Sequence, residues 1–204
     1  MKKSKKLLAV LLVCAVVAVG GFSAFAEETD TIFKPIPVTS RGIISTAMNN
    51  VGFDARMNCS GNSTYNYNNR NVDLYYIVEN STDQTWRVEP APATSDRYYI
   101  ESLTTDAYNN TYALNIYRYN SNYANCDVMK LKNNEVDASV KYLGVGGGEP
   151  FSYGYTFALN HYYYPTYYLG ATRNGVGPLG CDVRWLVSSP SNTNCQWTHV
   201  YNHS

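Results

Sequence analysis

Charge is scarce in this chain of 204 residues: Asp, Glu, Lys and Arg together make up 16% of it, in equal numbers of each sign. Beyond residue 26 no Lys/Arg run exists that could follow a phosphate backbone, which argues against a nucleic-acid partner. Methionine is scarcer still, four residues against twenty Tyr, and Leu is sparse beside Asn, Ser and Thr. That balance excludes a helix bundle and points to an all-β chain of strands and polar turns. The three His, at 161, 199 and 203, lie in no metal-binding helix motif and at ligand spacing from no two cysteines, so no metal and no cofactor is expected. Gly-x-Ser-x-Gly is absent. The cluster Gly144-Val145-Gly146-Gly147-Gly148 lacks the Lys and the helix of a phosphate loop and reads as a connection between units. The chain is therefore not expected to be an enzyme; a carboxylate pair meeting across a cleft is the enzymatic alternative that composition leaves open.

One long apolar run is present, from Leu7 to Gly20, preceded by Lys2, Lys3, Lys5 and Lys6 and followed by Ala24-Phe25-Ala26. This is the three-part layout of a secretory signal peptide, too short for a retained span, with cleavage expected after Ala26. Cys14 falls inside it with Val13 before it, which does not suit a lipoprotein anchor. The expected mature chain, residues 27–204, keeps 12 basic against 16 acidic residues. It is read as secreted from a bacterial cell, extracellular, and not inserted in a membrane. Cys59, Cys126, Cys181 and Cys195 remain, an even number that permits two disulfides in any of three connectivities. The equivalent places of Cys126 and Cys181 invite one pairing, with Cys59 and Cys195 as the other.

Residues 27–40, with Pro35 and Pro37, read as an extended lead-in to one domain over 41–204. That domain repeats. Asn71-Val72, Asp127-Val128 and Asp182-Val183 recur at intervals of 56 and 55 residues, and Trp86, Tyr142 and Trp197 each follow their Val by 14. The apolar pairs Phe53/Ala55, Leu114/Ile116 and Leu169/Ala171 show the alternation of half-buried strands, with Ile44, Ile100 and Phe157 in an earlier strand of each unit. Four strands per unit result, over about 41–90, 97–145 and 153–204. Phe53 to Val72 is 19 residues where the other two intervals are 14, which places a five-residue insertion in Ser60–Arg70 of the first unit. Three four-stranded units suit a closed three-fold barrel better than a propeller or a β-helix.

The sequence resembles the ricin-type β-trefoil lectins, whose units end in Gln-x-Trp and carry an apolar-Asp-apolar strand signature. The first unit matches best, with Gly52-Phe53-Asp54-Ala55-Arg56, Asn71-Val72-Asp73-Leu74-Tyr75 and Asp83-Gln84-Thr85-Trp86. The third ends in Gln196-Trp197, and the second has Ser139 to Tyr142 in that place. The resemblance implies a β-trefoil that binds carbohydrate through the first unit. Asp54 would accept hydrogen bonds from vicinal hydroxyls, Tyr75 would stack on the C–H face, Asp73 would flank it, and Asp83 would stand where the family usually has Asn. Gln84 would brace the carboxylate and backbone, and Trp86 would be core. On this reading Asn115 and Gly170 replace Asp54 in the other units and Leu131 and Leu186 replace Tyr75, which leaves those sites dead or altered, with Trp185 giving some room in the third. One shallow site binds weakly, so a homo-oligomer or clustered display would supply avidity.

Two further readings use the same residues. A secreted protein-binding trefoil, such as a protease inhibitor, would use the loop at 60–70 with Tyr65 and Tyr67. A structural surface protein would pack its Tyr-rich faces against neighbours. The Asn-x-Ser/Thr triplets at Asn62, Asn80, Asn109 and Asn202 are incidental in a bacterial chain.

Overall fold

A computed structural model of the protein describes residues 33–35, 44–59, 70–91, 96–106, 108–119, 122–131, 136–145, 152–173 and 178–201. The signal segment, most of the lead-in and the loop 60–69 lie outside the described residues. All described elements belong to the unit Thr31–Ser204, and apart from short 3-10 turns at Thr82–Gln84 and Thr193–Cys195 they are strands.

The strands are β1 (Phe33–Pro35), β2 (Ile44–Asn50), β3 (Ala55–Asn58), β4 (Arg70–Asn71), β5 (Asp73–Tyr75), β6 (Trp86–Pro90), β7 (Tyr98–Ser102), β8 (Tyr112–Tyr119), β9 (Tyr123–Lys130), β10 (Val140–Val145), β11 (Thr156–His161), β12 (Tyr167–Thr172), β13 (Asp182–Val187) and β14 (Gln196–Val200). The outer strands of the three units close a ring, β2–β6–β7–β10–β11–β14 and back to β2, antiparallel throughout. The inner strands form three hairpins, β3–β5, β8–β9 and β12–β13. Their third strands then pair with one another, β13 with β5 and β9, and β4 with β9. Closure leaves the six barrel strands with no unpaired edge, which resolves the edge problem that an open sheet of this size would present. β1 adds to the outside of β10.

The repeated positions become the core because each sits where one unit meets the next. Val72, Val128 and Val183 are fully buried, as are Trp86, Tyr142 and Trp197. Val72 N–H donates to Cys126 O and Val183 N–H to Val72 O, at 3.2 and 3.1 Å, which ties the units together at the centre of the hairpin layer. The indoles stitch that layer to the barrel: Trp86 Nε1 donates to Met57 O at 3.2 Å and Trp197 Nε1 to Leu169 O at 3.0 Å. Tyr142 has no indole to offer, and its hydroxyl goes to His199 Nε2 instead.

Register corrects one part of the repeat. Leu74, Lys130 and Trp185 each follow their Val by two, and they face Met57, Tyr112 and Leu169. The equivalent of Leu169 in the first unit is thus Met57, not Phe53, and Phe53 lies in the turn before β3. Met57 to Val72 is 15 residues, close to the 14 of the third unit and the 16 of the second. The expected five-residue insertion disappears. Alternation alone could not reveal this, since a shift by an even number of residues keeps the same side chains facing inward.

The cysteines also differ from the two-disulfide expectation. All four are buried thiols. Cys59, Cys126 and Cys181 join the main core cluster, whereas Cys195 lies over Gly170 in the third unit, away from Cys59 at the end of β3. A Cβ on Gly170 would stand 2.8 Å from Cys195 Sγ, 2.7 Å from Leu186 Cδ1 and 3.2 Å from the Asn194 carbonyl. Gly170→Ala is therefore expected to destabilise the fold by about 1–3 kcal/mol through overpacking. Urea denaturation checks this, and an unchanged midpoint would show that the joint can yield.

Candidate functional site

The site expected in the first unit is divided by β3. Asp54 ends the turn between β2 and β3, exposed, in the left-handed region at φ 47°. Asp and Asn tolerate that conformation better than bulkier residues do. Its equivalents, three residues before Tyr112 and Leu169, are Asn109 and Thr166, and Asn109 repeats the left-handed backbone at φ 56°. Asn115 and Gly170 are thus not counterparts of Asp54. Asn115 is buried, with Nδ2 donating to Asp127 Oδ1 at 2.9 Å.

Tyr75 lies on β5 directly opposite Arg56. The ladder ends at that pair, and the segment Tyr76-Ile77-Val78 continues from β5 beyond it, towards the same end of the pair as the Asp54 turn. All three are exposed, Tyr76 at 60%, and Tyr75 and Tyr76 meet edge to face with centroids 5.8 Å apart. Two buried side chains hold this exposed segment. Gln84 Oε1 accepts from Val78 N–H at 3.0 Å while Gln84 Nε2 donates to Tyr76 O at 2.7 Å. Arg56 Nη1 donates to Val78 O at 3.4 Å and its Nη2 lies 3.7 Å from Glu79 Oε1. Satisfying both backbone groups of a loop from beneath fixes its outward side chains in advance, which lowers the ordering cost of any contact made above them.

Asp73 and Asp83 stand at the other end of β3. Asp73 pairs with Asn58, whose Nδ2 donates to its Oδ1 at 2.9 Å, and burial raises its carboxyl above the usual range against that hydrogen bond. The Asp83 carbonyl accepts from Cys59 N–H at 2.9 Å, and its carboxylate accepts from Thr104 Oγ1 at 3.0 Å. Asp83 thus braces the first hairpin of the second unit. The same joint recurs where Gly52 packs on Asn194, with Asn50 Nδ2 donating to Asn194 O at 2.8 Å. The short polar turns agree: Gly52 N–H donates to Asn50 Oδ1 and Thr104 N–H to Ser102 Oγ. Asp54 and the Gln84-braced loop that follows Tyr75 thus lie at one end of the β3–β5 pair, and Asp73 and Asp83 at the other, in joints between elements.

Sequence reading missed Tyr76 and the role of Arg56. The signal for Tyr76 was present, since three apolar residues in succession after the Val72-centred strand break its alternation. A buried Arg beneath a loop leaves no such trace. In the third unit Trp185 is fully buried and its Nε1 donates to Asn115 O at 3.2 Å, so it offers no ligand surface there. In the second unit Asp106 occupies the corresponding turn. Burial pushes its carboxyl up, but donors from Asn110 Nδ2, Asn110 N, Tyr112 OH and Tyr108 N outweigh burial and hold it well below the ordinary carboxylate range. No group of three or more potential metal ligands occurs among the described residues.

No protein-family model matches the sequence, and no curated protein is similar to it at the sequence level. Solved structures are similar in shape. The designed three-fold symmetric protein ThreeFoil has a TM-score of 0.58 at 14% identity, covering 77% of this chain and 98% of its own. The SDF2-like protein from Arabidopsis thaliana has a TM-score of 0.59 at 13% identity, covering 82% and 95%. The Rhizoctonia solani agglutinin has a TM-score of 0.56 at 11% identity, covering 82% and 99%. With the closed six-stranded barrel, the hairpin layer and the three units of four strands, these likenesses identify the fold of the chain as a β-trefoil.

Proposed function

We propose that this chain is an exported, ricin-type lectin-like trefoil that binds carbohydrate non-covalently through its first unit, at the end of the β3–β5 pair that carries Asp54 and the braced loop. The observation that carries the reading is an exposed carboxylate at the same end of the β3–β5 pair as an exposed, pre-ordered aromatic segment. A carboxylate accepts charge-assisted hydrogen bonds from neighbouring hydroxyls, and a fixed tyrosine ring covers the apolar C–H face of a sugar. Tyr75 and Tyr76 share the stacking role in this reading, and Gln84 positions them. Asp73 and Asp83 hold the surrounding joints. The shared fold with a protein named an agglutinin supports the carbohydrate class, and the lysine-rich, apolar N-terminal segment supports export.

A glycan array probed with the purified protein tests this, with Asp54→Ala, Tyr75→Ala and Gln84→Ala alongside. Wild type should bind, and loss of the carboxylate should weaken binding roughly 10- to 100-fold, the worth of hydrogen bonds to a charged group. Gln84→Ala should weaken binding by freeing the loop while leaving Asp54 in place. Absence of binding to every glycan would end the lectin reading, and inhibition of a protease panel would then favour the protein-binding one. Binding that survives both Asp54→Ala and Tyr75→Ala would move the site elsewhere.

A further inference from the structure

Tyr153 and Tyr201 are an exposed pair that the sugar site does not use. Tyr153 lies in the turn ahead of β11 and Tyr201 directly follows β14, and they are 53% and 50% exposed. Their rings meet edge to face at 79°, with centroids 5.0 Å apart. The contact is set by the sheet. Thr156 pairs with Thr198 and Phe157 with Trp197, so the chain entering β11 and the chain leaving β14 run beside one another. Gly154, at φ +80°, turns the chain there, with its N–H donating to His199 O at 2.8 Å. His199 N–H in turn donates to Tyr155 O at 3.2 Å. These bonds anchor the turn that carries Tyr153 to β14 two residues before Tyr201, while both rings stay open to solvent.

We propose that Tyr153 and Tyr201 form an oxidative cross-linking site, joined ring to ring as dityrosine when a haem peroxidase and hydrogen peroxide are present. Each phenol gives up one electron and one proton to become a phenoxyl radical with spin density on its ortho carbons. The two ortho carbons form one C–C bond, and each ring regains aromaticity by passing its ortho hydrogen to its own oxygen. The protein loses two hydrogen atoms, and these reduce one hydrogen peroxide to two waters. The other tyrosine pairs whose rings meet among the described residues are worse placed. Tyr75 and Tyr76 are adjacent in the chain and their centroids stand farther apart, at 5.8 Å. Tyr98 and Tyr142 also meet edge to face but are fully buried, beyond the reach of an enzyme. Tyr162 has the cations of Lys141 and Arg97 at 5.2 and 5.9 Å from its ring centroid, which oppose electron loss, and the Tyr163 hydroxyl accepts from Arg97. The bond would fasten the end of the last barrel strand to the turn that precedes its neighbour, closing a long loop as a disulfide does.

Dilute purified protein treated with peroxidase and hydrogen peroxide tests the assignment. Dityrosine fluorescence is expected on the monomer band of a denaturing gel, and peptide mapping should find the peptides of Tyr153 and Tyr201 joined with the loss of two hydrogens. The cross-linked monomer should melt at a higher temperature. Tyr153→Phe and Tyr201→Phe should each abolish monomer fluorescence while keeping the untreated melting temperature, since both side chains are exposed. Fluorescence confined to dimers and larger species, or monomer fluorescence that persists in both variants, overturns the proposal.

Discussion

Trp86→Ala is expected to cost about 3–5 kcal/mol, the range for truncating a fully buried large aromatic. The ring fills the space between barrel and hairpin layer with no exposed surface, and its Nε1–H is the partner of the Met57 carbonyl. Truncation therefore leaves a cavity and removes a buried hydrogen bond together, and the bare carbonyl adds to the penalty. At roughly 2–4 °C per kcal/mol for a domain of this size, the melting temperature should fall by about 6–20 °C. Trp86→Phe should fall between wild type and the Ala variant, because it keeps most of the volume and loses the indole donor. Calorimetry on the three proteins decides the matter. A Trp86→Ala protein within 1 kcal/mol of wild type, on the scale of ordinary surface substitutions, would mean that this joint carries no special share of stability.

The effect of His199→Phe should depend strongly on pH. His199 is fully buried against Tyr142 and Phe157, which also stack on each other. Thr46 Oγ1 donates its proton to carbonyls, so it accepts from His199 Nδ1–H at 3.1 Å, which leaves Nε2 to accept from the Tyr142 hydroxyl. The neutral imidazole satisfies every partner, and burial lowers its pKa from 6.5 to about 3. An unfolded chain would take up a proton near 6.5 that the folded one refuses. The stability this group contributes is thus complete above pH 6.5 and is lost as pH falls, until it levels off near 3. At pH 5 the loss is roughly 2 kcal/mol.

Other groups also titrate in this range. His161 is also held neutral by burial, lowered to about 4, with its Nδ1 accepting from Tyr164 N–H. Burial pushes Glu101, beside Arg87 and Glu89, up to about 7, and this works in the opposite direction between its ordinary pKa and 7. Comparing wild type with His199→Phe at each pH cancels these common contributions. The substitution should therefore cost about 2 kcal/mol more at pH 7 than at pH 5. Urea denaturation at the two pH values tests this, and a cost independent of pH would show that the folded imidazole is protonated as readily as the unfolded one.

Much of the fold was legible because its signals are local and repeated. An apolar residue, a polar loop and an aromatic 14 residues later, three times over, is a pattern that few closed architectures can use,. The candidate site was legible only in part. Asp54, Tyr75 and Gln84 carry the residue types that sugar binding needs, and Asp54 lies at the same end of the β3–β5 pair as the loop that Gln84 braces. Asp73 and Asp83 carry the same chemistry in sequence, yet they lie at the far end of β3 in joints between elements. Arg56 looked unremarkable until the loop above it was in place.

From sequence alone followed the strand class, the three units, the residues at their centres and the carboxylate and aromatic side chains of the candidate site. These depend on spacing along the chain, where burial alternates with a fixed period. Only the tertiary structure decided which residues correspond between units, that Asp54 matches Asn109 and Thr166, that Trp185 is core, and that Tyr153 faces Tyr201. The physical reason is the same in each case. Cross-strand neighbours are set by register and ring closure between segments far apart in the chain, and side-chain periodicity leaves an even-numbered shift undetermined.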